Sequence, residues 1–155
     1  MEIYNTVENK YCYSAIADTM LETFPEVGEQ YAKEILWIRD TFQGREPEGQ
    51  SLYFDRCFSD FLGRLLVEEQ PDKARLKRAF TFLEDMASSD DIEVRNLLQV
   101  TVLEYLRSWH ILQRNSEKLM LPETKKLFKT VKQYLGEPSQ NEVPYFETLK
   151  NEGRR

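Results

Sequence analysis

A length of 155 residues favours a single domain, and 41% hydrophobic residues are sufficient for a buried core. That hydrophobic content excludes a disordered chain, and the net charge of −6 disfavours nonspecific nucleic-acid binding, which requires a positive surface. Two cysteines, Cys12 and Cys57, are too few for a disulfide framework, so we expect buried free thiols.

The amino-terminal stretch MEIYNTVENKYCY lacks the basic and apolar regions of a signal peptide. No stretch of the sequence approaches the ~18 apolar residues that a membrane-spanning helix requires. We therefore expect a cytoplasmic protein that does not associate with membranes.

Helical periodicity begins with an amphipathic segment over residues 13–24. This first helix should end at Phe24, because a residue that precedes proline is disfavoured in the α region. Pro25 suits the first turn of a second helix, which we expect to continue to about residue 42. Leu36 and Trp37 lie off its main apolar face, so this helix is expected to be covered on two sides.

A polar, glycine-containing loop is predicted over residues 43–51. An aromatic-rich third helix follows and should end at residues 70–71, where Pro71 or Asp72 begins a fourth helix that runs to about Ala87. Asp90 is the expected N-cap of a fifth helix, with Glu93 placed three residues later for a capping box.

The fifth helix, over roughly residues 91–110, has two apolar faces, one of which includes Val100. A helix that is apolar almost all round is buried by several neighbours, so we expect this helix to be central. A last helix is predicted from Pro122 to Leu135, with Gly136 as a left-handed C-cap.

The periodicity as a whole predicts an all-α fold of about six helices in antiparallel hairpins, a HEAT-like helical bundle. We predict one all-helical domain over residues 1–136 and a loosely ordered carboxyl-terminal tail over residues 137–155.

Catalytic motifs are absent from the sequence, which has no phosphate-binding glycine loop, no HExxH and no CxxC. His110 is the only histidine, and the cysteines are not spaced to join it as metal ligands. We therefore predict a non-enzymatic protein with no cofactor and no metal, in which His110 is structural or caps a helix carboxyl end. An enzyme centred on His110 and Glu104 stays open as an alternative.

Two Leu-Glu pairs, which end in Glu84 and Glu104, lie beside predicted buried faces. An ionised carboxylate in such a position requires backbone N–H groups or a cation. We interpret both glutamates as fastening points for a neighbouring loop or helix end.

A longer pattern resembles a known group of proteins. Its parts are Phe24-Pro25-Glu26, the aromatic helix from Tyr53 to Leu62, the segment Phe80–Glu84 and the segment Asp91–Leu106, the last of which is similar to the second helix of a HEAT repeat. Over roughly residues 15–110 the order resembles small bacterial all-helical proteins classed as a domain of unknown function. This resemblance implies an all-α fold without a known activity, in a group often suspected to be toxin-immunity proteins.

Charge is divided unevenly along the chain, because residues 1–72 carry 15 acidic and 6 basic side chains, for a net charge of −9. An acidic surface can steer a basic partner toward it. We therefore predict a protein-binding module, specifically an immunity protein that occludes a basic toxin domain. The predicted contact residues are Glu46, Glu48, Glu68, Glu69, Asp72, Asp90 and Asp91.

A self-assembling helical scaffold is the alternative function. In that case exposed Trp37, Tyr53 and Phe54 would form a dimer interface. The sequence does not fix the oligomeric state.

Overall fold

A computed structural model of the chain describes residues 10–41 and 54–138. These residues contain seven helices and no strand, which confirms the all-α prediction; the HEAT-like hairpin arrangement stays a prediction. The helices are α1 (Ile16–Thr23), α2 (Gly28–Thr41), α3 (54–67), α4 (Lys73–Ala87), α5 (92–108), α6 (His110–Glu117) and α7 (Pro122–Tyr134).

The boundary between α1 and α2 lies where proline chemistry predicts it. The Phe24 N–H donates to the Met20 carbonyl at 2.8 Å, and Phe24 then leaves the helical conformation. The segment Pro25–Val27 forms a 3-10 turn that leads into α2. Ile16, Met20 and Phe24 are fully buried, so the predicted apolar face of α1 is confirmed.

The outer side of α2 differs from its prediction. Leu36 and Trp37 are 57% and 45% exposed, so the expected cover on a second side is wrong for this helix. Phe54, expected at an exposed dimer interface, is instead fully buried. Tyr53 and the predicted loop over 43–51 lie outside the described residues.

A cluster of aromatic rings forms one end of the core. The Phe82 ring centroid lies 5.2 Å from that of Phe24 and 5.3 Å from that of Phe58, and Phe54 stacks on Phe82 at 6.4 Å. Such ring pairs each contribute about 0.5–1.5 kcal/mol beyond their buried area. Phe82 thus connects α1, α3 and α4.

Two π-helical stretches pack against each other at the centre: Phe54–Ser59 at the start of α3 and Leu98–Leu103 in the middle of α5. In a π-helix each backbone hydrogen bond spans five residues, so these stretches interrupt the α-helical pattern in which each bond spans four. The Ser59 hydroxyl donates to the Thr101 carbonyl at 2.8 Å, in a buried position. α5 also contacts α4, α6 and α7, which confirms its prediction as the central helix.

The end of α5 is a correction to the sequence analysis. Trp109 adopts an extended conformation (φ −127°, ψ 126°), so His110 is the first residue of a separate helix, α6, and does not cap the carboxyl end of α5. The buried Arg107 bridges this bend, because its guanidinium donates to the Gln113 side chain at 2.7 Å. Arg107 also pairs with Glu137 at 3.8 Å.

The ends of α7 partly follow their prediction. Pro122 occupies the first turn as expected, but the C-cap is Leu135 in an extended conformation (φ −94°, ψ 141°). Gly136 does not have a positive φ, so the predicted left-handed cap is wrong. Of the predicted tail, Glu137 and buried Pro138 are described, and residues 139–155 lie outside the described range.

Candidate protein-binding surface

The predicted contact residues separate into two turns at opposite ends of α4. Glu68, Glu69 and Asp72 precede this helix, and Asp90 and Asp91 follow it. α4 has 15 residues and is therefore about 22 Å long at 1.5 Å per residue. The structure thus does not bring the two turns together. Glu46 and Glu48 lie outside the described residues.

The first turn lies beside basic side chains of α4. Asp72 caps the helix by accepting from the Arg75 N–H at 3.0 Å, and it pairs with the Arg75 guanidinium at 3.5 Å. Glu26 pairs with Arg78 at 2.8 Å and with Arg75 at 3.4 Å. Desolvation alone would raise the pKa of Glu26, but its backbone hydrogen bond and the two arginines hold that pKa below its ordinary value. Asp72 is therefore neutralised within the chain, whereas Glu68 and Glu69 are exposed to solvent.

In the second turn, the Asp91 carboxylate has a structural role. One oxygen accepts from the Glu93 N–H at 3.0 Å and the other from the Tyr13 N–H at 2.8 Å. Asp91 is thus the N-cap of α5, and the prediction of Asp90 for that role is wrong by one residue. The neighbouring Ser89 hydroxyl donates to the Tyr11 carbonyl, which ties the same turn to the segment before α1.

Exposed carboxylates surround this second turn. Asp85, Asp90 and Glu93 are all exposed, and between them Ile92 is 59% exposed. We call these four residues the acidic corner. Asp85 accepts a hydrogen bond from the Tyr11 hydroxyl at 3.2 Å. Burial together with the Asp85 charge raises the pKa of Tyr11 to about 12.

An exposed stripe that includes two large aliphatic side chains leads from the acidic corner along α5. Ile92, Asn96 and Val100 are exposed, and their spacing of four residues places them on one side of the helix. Val100 is 50% exposed, although the sequence predicts it on a buried face. The half-exposed Tyr134 of α7 continues the stripe, since its hydroxyl accepts from the Gln99 amide at 3.2 Å. We call Ile92, Asn96, Val100 and Tyr134 the α5 stripe.

Sequence reasoning missed the apolar members of this surface. No sequence signal marked Ile92 and Val100 as exposed. A helix with apolar residues all round is taken as covered on every side, and that assumption hides the uncovered side of α5.

Glu84 and Glu104 both fasten α7, as the Leu-Glu pairs predict. Glu84 accepts from the N–H groups of Glu123 and Thr124 at 2.9 and 3.0 Å, at the start of α7. Glu104 accepts from the Tyr134 hydroxyl at 2.6 Å, at the end of α7. Burial and this hydrogen bond raise the pKa of Tyr134. His110 lies partly buried at the start of α6.

Residues 10–41 and 54–138 contain neither a cluster of metal ligands nor a membrane-spanning helix. No group of three or more His, Cys, Asp or Glu side chains in these ranges could hold a metal ion. No helix in this part of the chain has both the length and the apolar character needed to cross a bilayer.

Comparison with known proteins identifies a family to which the chain is similar. A family model described as a domain of unknown function (DUF7674) matches residues 17–136. Searches of curated proteins and of solved structures returned no match to the chain.

Proposed function

This chain belongs to DUF7674, a family of domains of unknown function, and we propose that it is a non-catalytic module that binds a basic protein. The observation that carries this proposal is the α5 stripe, in which Ile92 and Val100 are 59% and 50% exposed beside exposed carboxylates. Binding would use the stripe and the acidic corner together.

Interface anatomy supports this assignment. Protein interfaces combine a desolvated apolar centre with a polar, solvent-accessible rim, and a few central residues carry most of the binding energy. Ile92 and Val100 would supply the centre, while Asp85, Asp90 and Glu93 would supply the rim. Rim charges mainly accelerate association with an oppositely charged partner.

In its most specific form, the proposal is that the partner is a toxin and that this chain is its immunity protein, acting by occlusion. A toxin that degrades nucleic acid requires a positive surface to bind its substrate. An acidic corner is complementary to such a surface and would cover it.

The test is a pull-down from the native host at low and moderate salt, with the bound proteins identified by mass spectrometry. Wild type would be compared with D90K/E93K, which reverses two charges of the acidic corner, and with I92S/V100S, which replaces the aliphatic side chains of the α5 stripe with polar ones. E68K/E69K is the matched control, because it makes the same charge change at the other end of α4.

We expect wild type and the control to recover one stoichiometric basic protein that dissociates as salt rises, and the other two variants to lose it. If only E68K/E69K failed to recover the partner, the interface would lie at the first turn and not at the acidic corner. Equal recovery by all four proteins would overturn the proposed surface. Circular dichroism would establish that each variant remains helical.

Self-association through α2 is the second candidate function, favoured by the exposure of Leu36 and Trp37. Light scattering over a range of concentrations would detect a dimer, and L36E should convert that dimer to a monomer. A monomer at every concentration would count against the scaffold function.

A further inference from the structure

A concave pocket lies on a different part of the surface from the acidic corner. Its cavity of about 560 Å³ is within the range of roughly 300–1,000 Å³ that is typical of small-molecule sites. Four chain segments line it: the end of α3 with the 68–71 turn, the first half of α4, the end of α6, and the link to α7. Walls from four segments make this a pocket and not the flat side of one helix.

The interior of the pocket is predominantly apolar. Its apolar lining residues are Leu65, Leu66, Pro71, Leu76, Phe80, Leu119 and Leu121. Leu121 is 40% exposed, although it lies within this apolar wall. The Asn115 amide, one of the few polar groups present, is held by the Leu66 carbonyl at 2.8 Å. The lining therefore offers a ligand mainly apolar contact.

Three lysines, Lys73, Lys77 and Lys118, also line the pocket, against a single carboxylate from Glu68. Within residues 10–41 and 54–138, none of the three ammonium groups forms an ion pair or hydrogen bond, whereas Lys126 and Lys132 of α7 are both paired. The pocket thus combines an apolar interior with unneutralised positive charge.

We propose that this pocket binds a single-chain amphiphile with an anionic head group, such as an alkyl carboxylate. The alkyl chain fills the apolar interior and the head group lies among the three lysines. A cationic ligand does not match this combination, because the lysines would repel it. A strongly polar ligand does not match it either, because the leucine-rich walls offer its polar groups no hydrogen-bond partners. This site is independent of the proposed protein interface.

The test is isothermal titration of the full chain with sodium dodecanoate below its micelle concentration. K73Q/K77Q/K118Q should weaken binding about tenfold, because each exposed charge pair contributes a few-fold at most. K33Q/K125Q/K129Q is the matched control, since it makes the same charge change at lysines that do not line this pocket. T81W, a change at an exposed position on the pocket wall, should weaken binding by occupying part of the cavity.

We expect saturable one-to-one binding of dodecanoate and none of dodecyltrimethylammonium, which has the same chain and the opposite charge. Absence of dodecanoate binding would overturn the proposal, as would equal weakening by both lysine triples or unchanged binding by T81W. Binding to phosphatidylglycerol vesicles without binding of free dodecanoate would also overturn it, because that result indicates surface adsorption.

Discussion

Asp90 and Asp91 are adjacent carboxylates with different roles. Only Asp91 accepts from the Glu93 and Tyr13 N–H groups, whereas Asp90 is exposed. D91A should therefore lower the free energy of unfolding by about 1–2 kcal/mol, the usual cost of a lost N-cap, and D90A should change it by less than about 0.5 kcal/mol. Urea denaturation of the two variants measures this difference. A larger loss of unfolding free energy in D90A than in D91A would indicate that Asp90 is the N-cap, as the sequence predicts.

Glu84 should make the free energy of unfolding depend on pH in the acidic range. Burial alone would raise its pKa, but hydrogen bonds from the Thr124 and Glu123 N–H groups and from the Thr124 hydroxyl hold that pKa below its ordinary value. Because the folded pKa is lower than the unfolded one, the stabilisation is present at neutral pH and disappears as pH falls through the folded pKa.

E84Q should therefore be less stable than wild type by about 1–2 kcal/mol at pH 7, and the difference should narrow as the pH falls below about 4. Urea denaturation at several pH values gives this curve. Glu69, which is exposed on the first turn, supplies the control variant E69Q. A constant difference between E84Q and wild type across the pH range would show that ionised Glu84 does not hold α7.

At the scale of the element, α7 is fastened at both ends. Glu84 binds the N–H groups of its first turn, and Glu104 binds Tyr134 in its last turn. Y134F removes two hydrogen bonds, the one that Tyr134 donates to Glu104 and the one that it accepts from Gln99, and should cost about 1–2 kcal/mol. Amide hydrogen exchange should become faster at the end of α7 in Y134F and at its start in E84Q. Uniformly faster exchange along α7 in both variants would instead indicate that the helix opens as one unit.

Helix boundaries were predictable where the backbone chemistry is local. Pro25 and Pro122 fix the starts of their segments because proline restricts both itself and the preceding residue. The break at Trp109 has no proline or glycine, and Arg107 bonds across the bend to Gln113, a contact that no sequence period signals. Asp90 and Asp91 are adjacent in the sequence, and one of the two contacts that distinguish Asp91 is with Tyr13, 78 residues away, which local sequence does not signal.

At the scale of the whole molecule, folding brings charged residues of the acidic and basic halves of the sequence next to each other. Arg75 and Arg78 belong to the basic half, yet they pair with Glu26 and Asp72 of the acidic half. The acidic corner instead comes from the half with a positive net charge. The net charge of a linear segment therefore did not indicate where the candidate surface lies, because it cannot predict which carboxylates the chain neutralises itself.

The aromatic cluster around Phe82 should dominate the stability of the molecule. Phe82 is buried against Phe24, Phe54 and Phe58, so F82A removes contacts that join α1, α3 and α4. A buried Phe-to-Ala change typically costs about 3–5 kcal/mol, which is a large part of the 5–15 kcal/mol that stabilises a domain.

We expect a loss of this size for F82A in urea denaturation. I92A, on the exposed α5 stripe, should lose less than about 0.5 kcal/mol. A loss below about 1 kcal/mol in F82A would mean that the aromatic cluster does not dominate the stability of the molecule. A small loss in I92A also has a functional consequence, because a stripe that contributes little to folding is available to contact a partner.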